Sequence, residues 1–110
     1  MDSIILNSLK NKIIGNTEDA SFDNEFLDDI NFILSGPLSQ IGFKTDVKVT
    51  SDTTWEDLTE DNKLLDDLKI YIQFRVRMMF DPSASQQISN IQNDIIKESE
   101  YRIMVHLGTS

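Results

Sequence analysis

At 110 residues, with 39% hydrophobic and 26% charged side chains, the chain has the size and balance of one soluble globular domain and is unlike a disordered tail. Its lack of cysteine excludes a disulfide framework and thiolate-based zinc or redox chemistry and favours an intracellular setting, and no apolar run reaches the roughly 18 residues of a membrane span. The net charge of -9 is unevenly placed, with 5 basic and 15 acidic side chains in residues 1–67 (net -10) and 5 and 4 in residues 68–110 (net +1), so phosphate is repelled and sequence-specific nucleic-acid binding is not expected.

Residues 3–14 place Ile5 or Leu6, Leu9 and Ile13 at helical spacing, with Asp2 or Ser3 as N-cap and Gly15 as the stop. Asp23 then caps a second helix, in which Phe26, Leu27, Ile30, Ile33 and Leu34 oppose Glu25, Asp28, Asp29 and Asn31. Gly36-Pro37 interrupts this pattern before Leu38 and Ile41 resume it, so residues 23–41 form either a kinked helix or a broken one with an extra turn. Residues 43–54 are rich in Thr, Ser and Asp and read as a loop with at most a short extended piece. Thr54 and Asp57 offer a capping box around Trp55, whose large apolar area is expected to anchor that loop on the core.

Residues 61–80 support two periods. Ile70, Ile72, Phe74, Val76 and Met78 alternate as in a strand, whereas Leu65, Leu68, Ile72, Val76 and Met79 make a helical stripe that Leu64, Tyr71, Phe74 and Met78 widen. Length, the acidic start and the Lys69, Gln73, Arg77 polar line favour a helix buried on most sides. Asp81-Pro82 ends it and can also start the next helix, with Pro82 allowed in a first turn and Ser83 to Gln86 as a capping box, giving a last helix over about 83–107. That helix carries Ile88, Ile91, Ile95, Ile103, Met104 and Leu107, with Gly108 as its stop. The expected fold is therefore all-α, a single domain over 1–110 built as a small bundle of about four helices with a long C-terminal antiparallel hairpin.

No catalytic constellation is present. The lone His106 reads as a solvent-facing terminal side chain, with no cysteine or G-x-S-x-G to accompany it. The acidic pairs Asp28-Asp29, Asp57 with Glu60 and Asp61, and Asp66-Asp67 match no calcium loop and read as helix-start charge and solubility. Gly15, Gly36, Gly42 and Gly108 are isolated, so no phosphate loop exists. No enzyme, cofactor or metal is expected. Arg75 and Arg77 stand out inside the most apolar stretch, where a guanidinium must reach water or a carboxylate. Asp81 is the candidate intramolecular partner of Arg77, and a contact between subunits is the alternative.

The chain resembles the small head-tail connector (head completion, or adaptor) proteins of long-tailed bacteriophages and prophages of low-GC Gram-positive bacteria. The resemblance rests on the helix ending near Gly15, Ser21-Phe22-Asp23, Ile30-Asn31, Gln40-Ile41-Gly42, Thr54-Trp55, Tyr71-Ile72, Arg75 to Phe80-Asp81-Pro82, and Glu100-Tyr101-Arg102-Ile103, in that order. It implies an all-α protein of the virion neck that forms a homo-oligomeric ring below the portal, extends the DNA exit channel and docks the next neck or tail component. Trp55, Arg75, Arg77, Asp81 and Tyr101 are the candidate subunit or partner contacts it suggests. The acidic excess would suit a channel along which DNA slides without sticking, a reading that outer-rim positions for Asp28, Asp29, Asp66 and Asp67 would overturn. A monomeric acidic helical module that sequesters a basic partner is the alternative function.

Overall fold

The longest apolar segment is helical along its whole length. In the computed structural model, which describes residues 3–82 and 85–108, the helices are α1 (Ile5–Ile13), α2 (Asp23–Ser35), α3 (Pro37–Gln40), α4 (Asn62–Phe80) and α5 (Gln86–Leu107), with a 3-10 turn at Trp55–Asp57. Among the described residues the one β feature is an isolated antiparallel bridge between Ile4 and Thr54. The all-α expectation is met, and the alternation over 70–78 does not make a strand.

Helix α4 is the axis of the core. Asp61 caps it, its carboxylate accepting the Lys63 and Leu64 N–H groups at 3.0 and 3.2 Å. Leu68, Tyr71, Ile72 and Val76 are fully buried along it, each large aliphatic side chain stabilising by about 1.5–3 kcal/mol. Helices α1 and α2 pack against α4 and each other, while α5 runs back along α4 as the second arm of the antiparallel hairpin. The Phe80 ring meets Phe22 edge-on at 5.0 Å and Phe26 at 4.8 Å, tying the end of α4 to the start of α2.

Several helix ends differ from the sequence expectation. The N-cap of α1 is Ile4, with no side-chain cap; Asp2 lies outside the described residues. Backbone from 53–55 takes over instead, as Ile5 N–H donates to Thr53 O at 3.0 Å and Trp55 N–H donates to Ser3 O at 2.9 Å. Helix α2 has Phe22 as N-cap, and the Asp23 carboxylate is turned to Lys10 Nζ at 2.9 Å. At Gly36-Pro37 the chain breaks: α2 stops at Ser35, Pro37 opens the extra turn α3, and Leu38 is fully buried. Helix α5 begins at Gln86 with Ser85 as N-cap, its hydroxyl accepting Ile88 N–H at 3.4 Å. Pro82 therefore precedes the helix and does not sit in its first turn, and Ser83 lies outside the described residues. Gly15 and Gly108 stop α1 and α5 with φ of 70° and 71°, where a Cβ would be strained.

The loop of residues 43–54 is irregular but anchored. Val49 N–H donates to Asn31 Oδ1 at 2.8 Å, and Asn31 Nδ2 donates to Val49 O at 3.0 Å and to Leu27 O at 3.0 Å. Asn31, which the helical pattern places on the polar face of its helix, thus acts as the clamp of the loop.

Candidate assembly surface

The outer arm of the hairpin leaves most apolar surface uncovered. Helix α5 packs closely only over Ile96, Ser99 and Ile103, because α4 is its one extensive neighbour among the described helices. Ile88 and Ile91 are about half exposed, and with Ile95 they form an i, i+3, i+7 stripe on one side of the helix. Ile95 shares a shallow groove with Ile70 of α4, bordered by Asp67, Glu98, Ser99 and Arg102. Near the other end of α5, Tyr101 and Val105 are exposed at i, i+4.

A second groove between α4 and α5 is deeper, about 350 Å³, and is walled by Met78, Met79 and Ile96 with Arg75, Lys97, Asn93 and Glu100 around it. Here the geometry of Arg75 becomes clear. Its guanidinium lies over the Tyr71 ring at 5.3 Å, its Nε donates to Tyr71 Oη at 3.2 Å, and Tyr71 Oη donates to Glu100 Oε2 at 3.2 Å. Burial raises the Tyr71 phenol above its usual value, with Arg75 opposing the rise. Arg75 thus answers to a carboxylate through a buried phenol that joins the two arms of the hairpin.

The expected Arg77–Asp81 ion pair is absent among the described residues. Asp81 N–H instead donates to Arg77 O at 2.9 Å and closes the helix, and both side chains are exposed. Trp55 is 3% exposed, with Lys69 Nζ 6.0 Å from its ring, so it anchors the loop as expected from its size. The capping box beside it is made, with Thr54 N–H donating to Asp57 Oδ2 at 2.9 Å. Tyr101 is exposed as well, at 62%. These residues do not converge on one patch: Trp55 borders a polar groove with Asn7, Lys12 and Lys69, Arg75 lines the methionine groove, and Tyr101 faces water on α5.

Two polar side chains depart from expectation. His106 is exposed, as the sequence reading expects, but it is not free: its Nε2 lies 2.9 Å from Asp67 Oδ2. Asp67 is correspondingly only 8% exposed, with Arg102 at 4.0 Å, so it pins the end of α5 to the start of α4 and is not a solubility charge. Thirty-nine residues separate this pair, beyond the reach of any local spacing rule.

A model of the phage connector protein family matches residues 5–110. The chain belongs to that family. Comparison with curated proteins and with solved structures gave no significant match. Among the connector's described residues no group of three or more His, Asp or Glu is placed to hold a metal, and no helix is long and apolar enough to cross a membrane. The features that remain are surfaces: the isoleucine stripe of α5, the methionine groove, and an acidic outer face on α2 from which Phe32 projects, 59% exposed. Phe32 is absent from the apolar face read from the sequence; its one signal there is its place four residues after Asp28, on the charged side of the helix.

Proposed function

We propose that this connector assembles as a ring below the portal of the phage head, extends the DNA exit channel and docks the next neck or tail component. It would act in the virion neck after assembly in the host cytoplasm. The observation that carries this reading is the uncovered isoleucine stripe of α5, on a chain that belongs to the phage connector family. An exposed apolar row of that kind on a small protein marks a surface another protein covers. We assign the stripe, with Ile70 beside it, to contact with a neck partner. Of the sequence candidates, Arg77, Asp81 and Tyr101 are exposed and available at the border of such contacts, whereas Trp55 supports the loop from inside.

The excess of acid suits a channel that DNA must traverse without sticking. Asp67 takes no part in that role, being buried against His106, which leaves Asp66 and the α2 acids as the candidates. The deciding experiment mixes the protein with purified portal assemblies and follows mass by light scattering and shape by negative-stain imaging. Ring density added to the portal is the expected result. A strict monomer that never binds the portal at any concentration would sink the proposal.

A further inference from the structure

The outer face of α2 and the methionine groove carry opposite and matching features. On α2, Glu25, Asp28 and Phe32 follow at i, i+3, i+7 and are all exposed, so three side chains share one face with an aromatic ring beside two carboxylates. The groove between α4 and α5 is lined by the thioethers of Met78 and Met79, which adapt their shape to an inserted ring and attract aromatic edges. Arg75 and Lys97 stand at its border, and among the described residues neither makes an ion pair with an acid. Its one acid, Glu100, accepts the Tyr71 hydroxyl.

We propose that neighbouring subunits join head to tail, with Phe32 of one copy seated between Met78 and Met79 of the next and with Glu25 and Asp28 facing that copy's Lys97 and Arg75; this rests on the ring reading above. The occupant is a second copy of this chain because the chain itself supplies the complementary half: its acid lies in residues 1–67, net -10, against +1 for residues 68–110. Two different patches meeting make a heterologous contact, which closes into a ring under the right rotation, whereas one patch meeting itself gives only a dimer. Complementary charge fixes orientation and register, and the buried ring supplies contact area. This places Asp28 in the joint and removes it from the channel wall.

The test uses full-length protein assembled on portal particles, with isotope-labelled and unlabelled copies mixed and Phe32 replaced by the photo-crosslinking residue p-benzoyl-phenylalanine. Cross-links between copies should join position 32 to the peptide containing Met78 and Met79. Lys97→Glu, an exposed change that leaves the thermal melt of the subunit in place, should cut that cross-link about tenfold; pairing it with a neighbour carrying Glu25→Lys and Asp28→Lys should restore it. Rings that form without this cross-link, or with an unchanged yield in Lys97→Glu, overturn the head-to-tail contact and leave the ring reading standing. Failure to form rings with the portal overturns both.

Discussion

Lys10 shows how one buried charge constrains its surroundings. It is 4% exposed and its Nζ lies 2.9 Å from Asp23, whose side chain keeps 29% exposure. Removing the partner of a buried charge leaves it uncompensated, while removing the buried charge leaves a carboxylate that water can still reach. Asp23→Ala should therefore destabilise the protein by about 3 kcal/mol, and Lys10→Met, which keeps the apolar stem, by less than about 1 kcal/mol, as urea unfolding would measure. Equal losses would contradict this asymmetry. Asp29 offers a pH-dependent counterpart. Burial first, then the charges of Glu25 and Asp28, raise its carboxyl above the ordinary 3.8. The folded state thus holds that proton more tightly than the unfolded chain does, so the contribution is full below pH 3.8 and is lost as pH rises through the raised value. Asp29→Asn should raise thermal stability at pH 7 by up to about 1 kcal/mol, a gain that melts below pH 3.8 should no longer find. At this scale little is legible in the sequence: Lys10, Asp67 and His106 look like ordinary surface side chains, and Asp23 like a helix cap, because their partners lie on other helices.

Elements were far more readable than residues, and the reason is periodicity. Leu65, Leu68, Ile72 and Val76 recur at helical spacing and are among the residues that α4 buries, although Met79, the last of that stripe, is 43% exposed; of the competing alternation Ile72 and Val76 are buried, while Ile70, Phe74 and Met78 keep some exposure. Gly36-Pro37 announced an interruption, but choosing break over kink depended on burying Leu38, a tertiary matter. Helix starts were least legible, since Ile4 and Phe22 stand where side-chain caps were expected and packed backbone satisfies the ends instead. The loop of residues 43–54 depends on a single side chain. Asn31 bonds both the N–H and the C=O of Val49, so Asn31→Ala leaves two backbone groups beside the core without partners, at about 1–3 kcal/mol each before water relaxes the site. Hydrogen exchange should show the Val49 amide protected in the parent protein and unprotected in the variant, with amides of α4 unchanged. Loss of protection throughout α4 would mean the loop is part of the core's cooperative unit and not a separately clamped segment.

For the whole molecule the decisive asymmetry is between the two arms of the hairpin. Helix α4 is covered by α1, α2 and α5, but among the described helices α5 has α4 as its one extensive neighbour, and so Ile88 and Ile91 in its first half stay about half exposed. A sequence pattern records that Ile88, Ile91 and Ile95 share a face; it does not record whether this chain or another one buries them, and that is why fold class was accessible from the pattern and the contact surface was not. The same asymmetry separates folding from assembly experimentally. Exposed side chains away from caps and core usually change stability by no more than about 0.5 kcal/mol when replaced, whereas an apolar anchor at the centre of an interface contributes 2 kcal/mol or more, on the order of a thirtyfold change in affinity. Replacing Ile88 and Ile91 together by Ser should leave the urea midpoint of the isolated subunit almost unmoved and weaken binding to portal or neck partner at least about thirtyfold. A matched pair of changes at Ile96 and Ile103, which are 7% and 0% exposed, should do the reverse and unfold the hairpin first. If the Ile88 and Ile91 variant binds its partners as the parent does, the stripe is not the docking surface, and the exposed Tyr101–Val105 pair becomes the face of α5 to test.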